Sequence, residues 1–235
     1  HELGFGNRVV HVPAGPETPK ARSELANYIP EFAEGIKKFA AEKGITYDVI
    51  HSHYWLSGAA ALDLRDRWGA PIVHMAHTLG LMKNAVAQRP EEFETEERIG
   101  VEREIVRDAD ALVAATPAEQ QQLVQLYGAD PGHIHVISPG VDTDRFHPIP
   151  AEQARAQIGT CPMRRMILFV GRIEPLKGVE SLLRAIALVV SRQPALRSAL
   201  CVPIIGGDPD RVRENSEMER LHRMRDELGL DEAVL

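Results

Sequence analysis

The sequence predicts an α/β protein made of two doubly wound, parallel-sheet domains. Three observations carry that expectation. Short apolar runs alternate with helical patterns along most of the chain. The turns between them are short, which suits strand–helix–strand crossovers and a parallel sheet covered on both faces. The alternation stops once, over residues 140–150, and then resumes. A crossing between domains is therefore expected there, with one domain over 1–148 and the other over 149–235.

Taken in order, Glu2-Leu3-Gly4 reads as a helix end, residues 8–13 as a short strand and 14–24 as a polar loop. A helix is expected over 28–43, because Ile29, Phe32, Ile36, Phe39 and Ala40 share one face and Gly44 follows as a stop. Next come a strand over 47–53, a helix over 57–68, a strand over 71–77, a loop over 80–89 and one long charged helix over 90–108. Residues 111–115 form a strand, and Thr116-Pro117-Ala118-Glu119 opens a helix with a cap, a first-turn proline and an early glutamate. The first series ends with a strand over 134–138. The second holds a strand over 166–170, a helix over 179–192, a strand over 199–205 and a helix over 217–228.

At 235 residues, 44% hydrophobic and 26% charged, the composition is that of a soluble globular chain. The net charge of −7 supplies no global attraction to nucleic acid or membrane, so an anionic ligand must be held by local cations. Cys161 and Cys201 imply neither a disulfide framework nor a metal knuckle, and a reducing cytoplasm fits them. No apolar run approaches the roughly 18 residues of a membrane span, and no signal peptide is visible. A first residue other than methionine, and a strand just beginning at Ala233-Val234-Leu235, suggest a fragment.

The stretch 169–178 is the first place where chemistry is expected. An apolar strand breaks at Gly171 and a helix resumes at Val179, so backbone N–H groups and a helix dipole converge beside Arg172 and Lys177. That combination suits a diphosphate, although a βα turn with two solvated cations is the plain alternative. No Walker-type lysine loop or dinucleotide glycine fingerprint accompanies it. Ligands of such sheets lie at the carboxyl ends of strands, which would put this stretch, His53 and His77 at a cleft between the domains.

His51 and His53 alternate on one strand, and His74 and His77 mark the next. His51 and His74 read as core histidines, His53 and His77 as better placed for a ligand, and no metal is expected among the four. Cations near that mouth are Lys20, Arg22, Lys83 and Arg98. Arg98 has Glu94 and Glu102 at helical spacing, so an i,i+4 salt bridge is its local reading. No Ser/His/Asp or Cys/His nucleophile arrangement stands out.

Three stretches together resemble a known family. They are Gly171-Arg172 with Pro175-Leu176-Lys177-Gly178, Pro139-Gly140-Val141-Asp142 with Phe146-His147-Pro148, and His51-Ser52-His53-Tyr54-Trp55-Leu56-Ser57-Gly58. In their order along the chain they resemble the retaining, nucleotide-sugar-dependent glycosyltransferases of family 4 and the GT-B fold, over nearly the whole chain. Within the family, Ala14-Gly15-Pro16, His53 to Gly58, His77-Thr78-Leu79 and Lys83-Asn84 are similar to the inositol-phosphate enzymes of mycothiol biosynthesis, a pattern shared in part with sucrose-phosphate synthases.

The resemblance implies two Rossmann-like domains, both incomplete. Residues 1–148 would bind the acceptor and lack the first βαβ of that domain; 149–235 would begin the donor domain. It implies transfer of N-acetylglucosamine or glucose from a UDP-sugar to a phosphorylated acceptor such as inositol phosphate, with retention. Arg172, Lys177 and Gly171 would bind the donor diphosphate. Tyr54, Thr78 and Arg98 would bind the acceptor phosphate, with Arg22 in the place of the family's lysine and Lys20 as a substitute. His77 would contact the transferred sugar in the transition state. The donor is a substrate, no cofactor is implied, and magnesium is not required for the fold. The partners are the nucleotide-sugar donor and the phosphorylated acceptor, with no nucleic acid and no transmembrane segment; a homodimer is admissible.

The family's N-terminal glycine-rich loop and its later paired-glutamate segment have no counterpart here, so the chain by itself is expected not to transfer sugar at a normal rate. Fructose 6-phosphate or a lipid-linked sugar is the alternative acceptor. A non-catalytic sugar- or nucleotide-binding module is the alternative class.

Overall fold

A computed structural model describes residues 2–4, 6–87, 89–158, 165–207 and 216–235. They fall into two compact units, 1–140 and 141–235, so the aperiodic stretch that follows Gly140 goes with the second.

The first unit opens with a hairpin. β1 (Glu2–Gly4) pairs antiparallel with β2 (Asn7–Arg8), where a helix end is expected from the sequence, and Gly6 at φ +78° lies in the turn. The strand expected over 8–13 is ordered as strand only at its first residue. α1 (Ile29–Lys43) buries Ala33 and Ala40 and ends on left-handed Gly44, as its apolar stripe dictates.

Four parallel strands then follow in chain order: β3 (Ile50–His53), β4 (Ile72–Met75), β5 (Ala111–Ala114) and β6 (Ile134–Val136). Ser52, His74, Leu112 and Ile134 stand in register across them. On that face Ile72, Leu112, Ala114 and Ile134 pack with Ala61 of α2 (Tyr54–Trp68) and Leu123 of α5 (Pro117–Tyr127). A strand order that never reverses sends every right-handed crossover to the same side. On the opposite face Met75 and Val113 are buried while His51, His53 and His135 are exposed, so the expected cover is complete on one face of the described sheet and partial on the other.

Two departures lie near the strand ends. α3 (Gly80–Val86) occupies the expected loop. The expected helix over 90–108 is split into a 3-10 turn, Pro90–Glu92, and α4 (Glu96–Asp108). Thr95 causes the second start: its backbone is extended and its hydroxyl accepts the Arg98 N–H at 3.2 Å.

In the second unit the expected strand over 166–170 is present as β7 (Arg165–Met166) and β8 (Phe169–Val170), after α6 (Ala151–Ile158). These pair in parallel with β9 (Leu200–Cys201) and β10 (Ile204–Ile205). Pro203 has no N–H to give the ladder, but its carbonyl accepts from Phe169 at 3.0 Å, so the pairing runs through. Val202 bridges Val234 on the other side.

α7 (Val179–Arg192) and α9 (Ser216–Glu227) flank the short α8 (Leu196–Ala199); Val179, Leu183, Ile186 and Val190 of α7 pack with Leu200, Val202 and Leu221. Cys201 is disulfide-bonded, where the two cysteines suggest no disulfide framework from the sequence. No helix among the described residues is long and apolar enough to cross a membrane.

Candidate functional site

Among the described residues two besides glycine hold left-handed backbones, Tyr54 at φ +72° and His77 at φ +58°. They follow neighbouring strands, β3 and β4, at their carboxyl ends. Each such conformation costs on the order of 1–3 kcal/mol and persists where its surroundings over-determine it. At Tyr54 the brace is Ser57, whose Oγ accepts the His53 N–H at 2.8 Å and donates to the His53 carbonyl at 2.5 Å. The brace also starts α2 at Tyr54, three residues before the expected Ser57.

The histidines divide differently from the sequence expectation. His74 is a core residue, as expected: it meets the Ser52 hydroxyl at 2.8 Å, and burial pulls its pKa down to about 4. His51 is not core. It lies on the partly covered face of the sheet, its ring centroid 4.2 Å from that of His53. Strand alternation puts His51 and His53 on one side but does not say which side is partly bare. His53 Nδ1 and His77 Nε2 are 2.8 Å apart and share one hydrogen bond. Burial, then the His51 and His77 charges, lowers the His53 pKa. Among the described residues no three His, Cys, Asp or Glu side chains gather as metal ligands.

Of the residues expected to hold an acceptor phosphate, Tyr54, Thr78 and Arg98 come together. Arg98 reaches the Tyr54 hydroxyl at 3.2 Å and both the Thr78 carbonyl and hydroxyl at 3.0 Å, and its guanidinium lies over the Tyr54 ring at 5.0 Å. The salt-bridge reading of Arg98 is also present, and doubly so: Glu102 accepts from Nε at 2.7 Å and Glu94 from Nη1 at 3.1 Å. Arg98 is 1% exposed, so this is a buried ion cluster, not the solvated face that helical spacing suggests. Burial opposes its charge, yet Glu102, Tyr54 and Glu94 together raise its pKa.

Both carboxylates are held in turn by further groups. Glu102 Oε2 accepts the Gly80 N–H at 2.9 Å and the Tyr127 hydroxyl proton; Tyr127 in turn accepts the Leu81 N–H at 3.0 Å. Glu94 also pairs with Lys83, and its backbone N–H donates to Asn84 Oδ1 at 2.7 Å. Glu102 is visible at i+4 from Arg98, but nothing in the sequence links Tyr127 to it. Arg22 opens the 3-10 helix Arg22–Tyr28, but its side chain lies outside the described residues; Lys20 stands 3.9 Å from Glu24.

In the second unit Gly171, Arg172 and Lys177 lie on the turn from β8 to α7. Arg172 is largely exposed and pairs with Glu174 at 2.8 Å. Lys177, also exposed, ends the 3-10 turn Pro175–Lys177, and left-handed Gly178 caps α7. Gly206, missed from the sequence, belongs to the same place: a Cβ there would stand 1.8 Å from the Gly171 carbonyl oxygen. A strand-end Gly-Gly pair, Gly206-Gly207, is the signal that could have marked it.

The profile of Glycosyltransferase Family 4 matches residues 2–145, more than half of the chain. The chain belongs to glycosyltransferase family 4. Its relatives in the family include D-inositol 3-phosphate glycosyltransferase 2 of Catenulispora acidiphila, 41% identical over an alignment of 235 positions that covers 99% of this chain and 54% of that one. D-inositol 3-phosphate glycosyltransferase of Saccharomonospora viridis is 43% identical over an alignment of 238 positions, which again covers 99% of this chain and 54% of the other.

Among solved structures, sucrose-phosphate synthase from Thermosynechococcus elongatus is 30% identical with a TM-score of 0.80, covering 96% of this chain and 53% of that chain. Anabaena HepE, solved with UDP, shares the fold at 20% identity and a TM-score of 0.63, over 87% of this chain and 50% of that one. The parallel α/β architecture is thus that of the GT-B members of family 4, and the chain spans about half the length of the curated relatives it matches.

Proposed function

We propose that this family 4 chain serves the transfer of a hexose, N-acetylglucosamine or glucose, from a UDP-sugar to a phosphorylated acceptor of the inositol phosphate class, with retention at the sugar. The observation that carries the reading is that Arg98 gathers the Tyr54 hydroxyl at 3.2 Å and the Thr78 hydroxyl at 3.0 Å, next to left-handed His77. Two hydroxyls and a fork-shaped cation match the several acceptor oxygens of a phosphate. The 41% identity to an enzyme named for D-inositol 3-phosphate supports that acceptor class.

The residues then have distinct tasks. Tyr54, Thr78 and Arg98 hold the acceptor phosphate, with Arg22 or Lys20 as an outer cation. Gly171, Arg172 and Lys177 receive the diphosphate, whose negative charge grows as the sugar–oxygen bond breaks. The acceptor hydroxyl forms its new bond on the face of the sugar that UDP leaves, and its proton departs with the diphosphate. His77 faces the sugar. Because Arg172 is exposed, its contribution is screened until a ligand excludes water around it.

The test uses the complete protein with UDP-N-acetylglucosamine or UDP-glucose and D-inositol 3-phosphate. Sugar transfer to the inositol phosphate is expected. Transfer to fructose 6-phosphate alone would overturn this acceptor in favour of the one suggested by the sucrose-phosphate synthase likeness. Calorimetry with UDP reads the donor side: Arg172→Ala and Lys177→Ala should each weaken binding, and affinities unchanged in both would remove these residues from the donor site.

A further inference from the structure

Every N–H direction of the Arg98 guanidinium is already met within the protein, by Glu102, Glu94, Tyr54 and the two oxygens of Thr78. A phosphate that needs Arg98 therefore has to displace something. Glu102 is a poor candidate: it is 4% exposed and is also held by the Gly80 N–H and the Tyr127 hydroxyl. The Thr78 carbonyl is main chain. Glu94 differs from both. Its backbone is fixed by Asn84, but its carboxylate is bound by two side-chain cations, Lys83 and Arg98, as a small anion would be.

We infer that the Glu94 carboxylate is a resident stand-in for the acceptor phosphate, bridging Lys83 and Arg98 until the phosphate displaces it. The inference rests on the acceptor-site reading above and adds a gate to it. Charge balance favours displacement over simple addition. Lys83 and Arg98 offset Glu94 and Glu102, so the cluster is neutral as it stands. A phosphate dianion added beside all four would put two uncompensated charges in a desolvated site, whereas exchange for Glu94 leaves one.

Glu94 lies outside any helix. It precedes the Thr95 cap, outside α4, and the neighbouring Phe93 is exposed, so no helix has to open. The gate also contributes to specificity. A neutral ligand cannot replace a carboxylate between two cations, which would select for phosphorylated acceptors.

The experiment is titration calorimetry of D-inositol 3-phosphate, and of inositol as a neutral control, into the complete protein and its Glu94→Gln variant. Gln keeps the shape and an acceptor oxygen but removes the competing charge. The phosphate should bind the variant about tenfold tighter or more, and inositol should not gain. A thermal scan provides the second reading: the variant loses stability without ligand and recovers more of it with inositol phosphate than the parent does.

Glu94→Asp keeps the charge but is too short to span both cations, so it should also tighten phosphate binding, by less. If the parent binds the phosphate and both variants bind it equally or more weakly, Glu94 is only structural and the gate is wrong, while the acceptor reading stands. If neither the parent nor the variants bind it, both fall.

Discussion

Arg98 donates through one terminal nitrogen to both oxygens of Thr78, the carbonyl and the hydroxyl, at 3.0 Å each. This fork ties α4 to the turn after β4, where His77 holds its left-handed backbone. Replacing Arg98 with Met would leave Glu94 and Glu102 in a buried cluster short of one cation. A loss of about 3–5 kcal/mol in unfolding free energy is expected. Arg98→Lys keeps the charge but not the fork, so it should lose less stability and still lose the Thr78 contact. Denaturant titration of the two variants checks the order; a Met variant as stable as the parent would show that the cluster holds nothing in place.

Tyr127 offers an independent test of what holds Glu102 in place. Its hydroxyl donates to Glu102 and accepts from Leu81, and burial followed by Glu102 raises its pKa above the usual tyrosine value. Tyr127→Phe leaves the Leu81 N–H without this acceptor and Glu102 with one donor fewer. A cost of about 1–3 kcal/mol is expected from the same titration. Phosphate affinity should change less than in any Arg98 variant, because Tyr127 acts only through Glu102.

His74 supplies a pH dependence whose sign can be worked out. Its pKa lies near 4 in the folded state against about 6.5 unfolded, because burial excludes the charged form. Between those values the unfolded chain binds a proton that the native state refuses. The stabilisation is fully present above about pH 6.5 and is lost as pH falls towards 4. The loss is on the order of 3 kcal/mol for this group. His74→Asn, which can still meet Ser52, should flatten the slope between pH 7 and pH 4.5 relative to the parent. Parallel curves for the two would assign the acid sensitivity to other groups.

The parts of the fold that could be read from the sequence are those whose causes are local. α5 begins where Thr116, Pro117 and Glu119 predict: Thr116 accepts the Glu119 N–H at 3.1 Å and Glu119 accepts the Ala115 N–H at 2.7 Å. α7 follows its apolar stripe to the residue. The errors come from competition between signals. Glutamates after Pro90 look like one helix start, but Thr95 is the stronger cap and claims the helix for itself.

That Tyr54, Thr78 and Arg98 belong together was legible through the family resemblance, but the state of that cluster was not. The burial of Arg98 depends on α3 and α4 packing together, and Tyr127 arrives 25 positions after Glu102 in the chain. His51 shows the same limit: alternation fixes its side of the strand, whereas exposure depends on which face the helices cover.

Two glycines should respond to the same substitution with opposite signs. Gly206→Ala places a Cβ 1.8 Å from the Gly171 carbonyl oxygen and 3.4 Å from Ile173 Cδ1. The obstacle is main chain, so it cannot be relieved by a rotamer change, and β8 and β10 would have to part where Gly171 donates to the Ile205 carbonyl at 3.0 Å. A cost of about 3 kcal/mol or more is expected, at the upper end for overpacking. Because the strain falls on Gly171, UDP affinity should also drop if that turn binds the donor. Gly100 in α4 has nothing within 4 Å of the corresponding position and no positive φ. There, Ala removes the backbone freedom of the unfolded chain at no steric cost and should stabilise by about 0.5–1 kcal/mol. Melting temperatures of the two variants therefore diverge on either side of the parent, and a Gly206→Ala protein that melts with the parent would mean that β8 and β10 do not approach as closely as described.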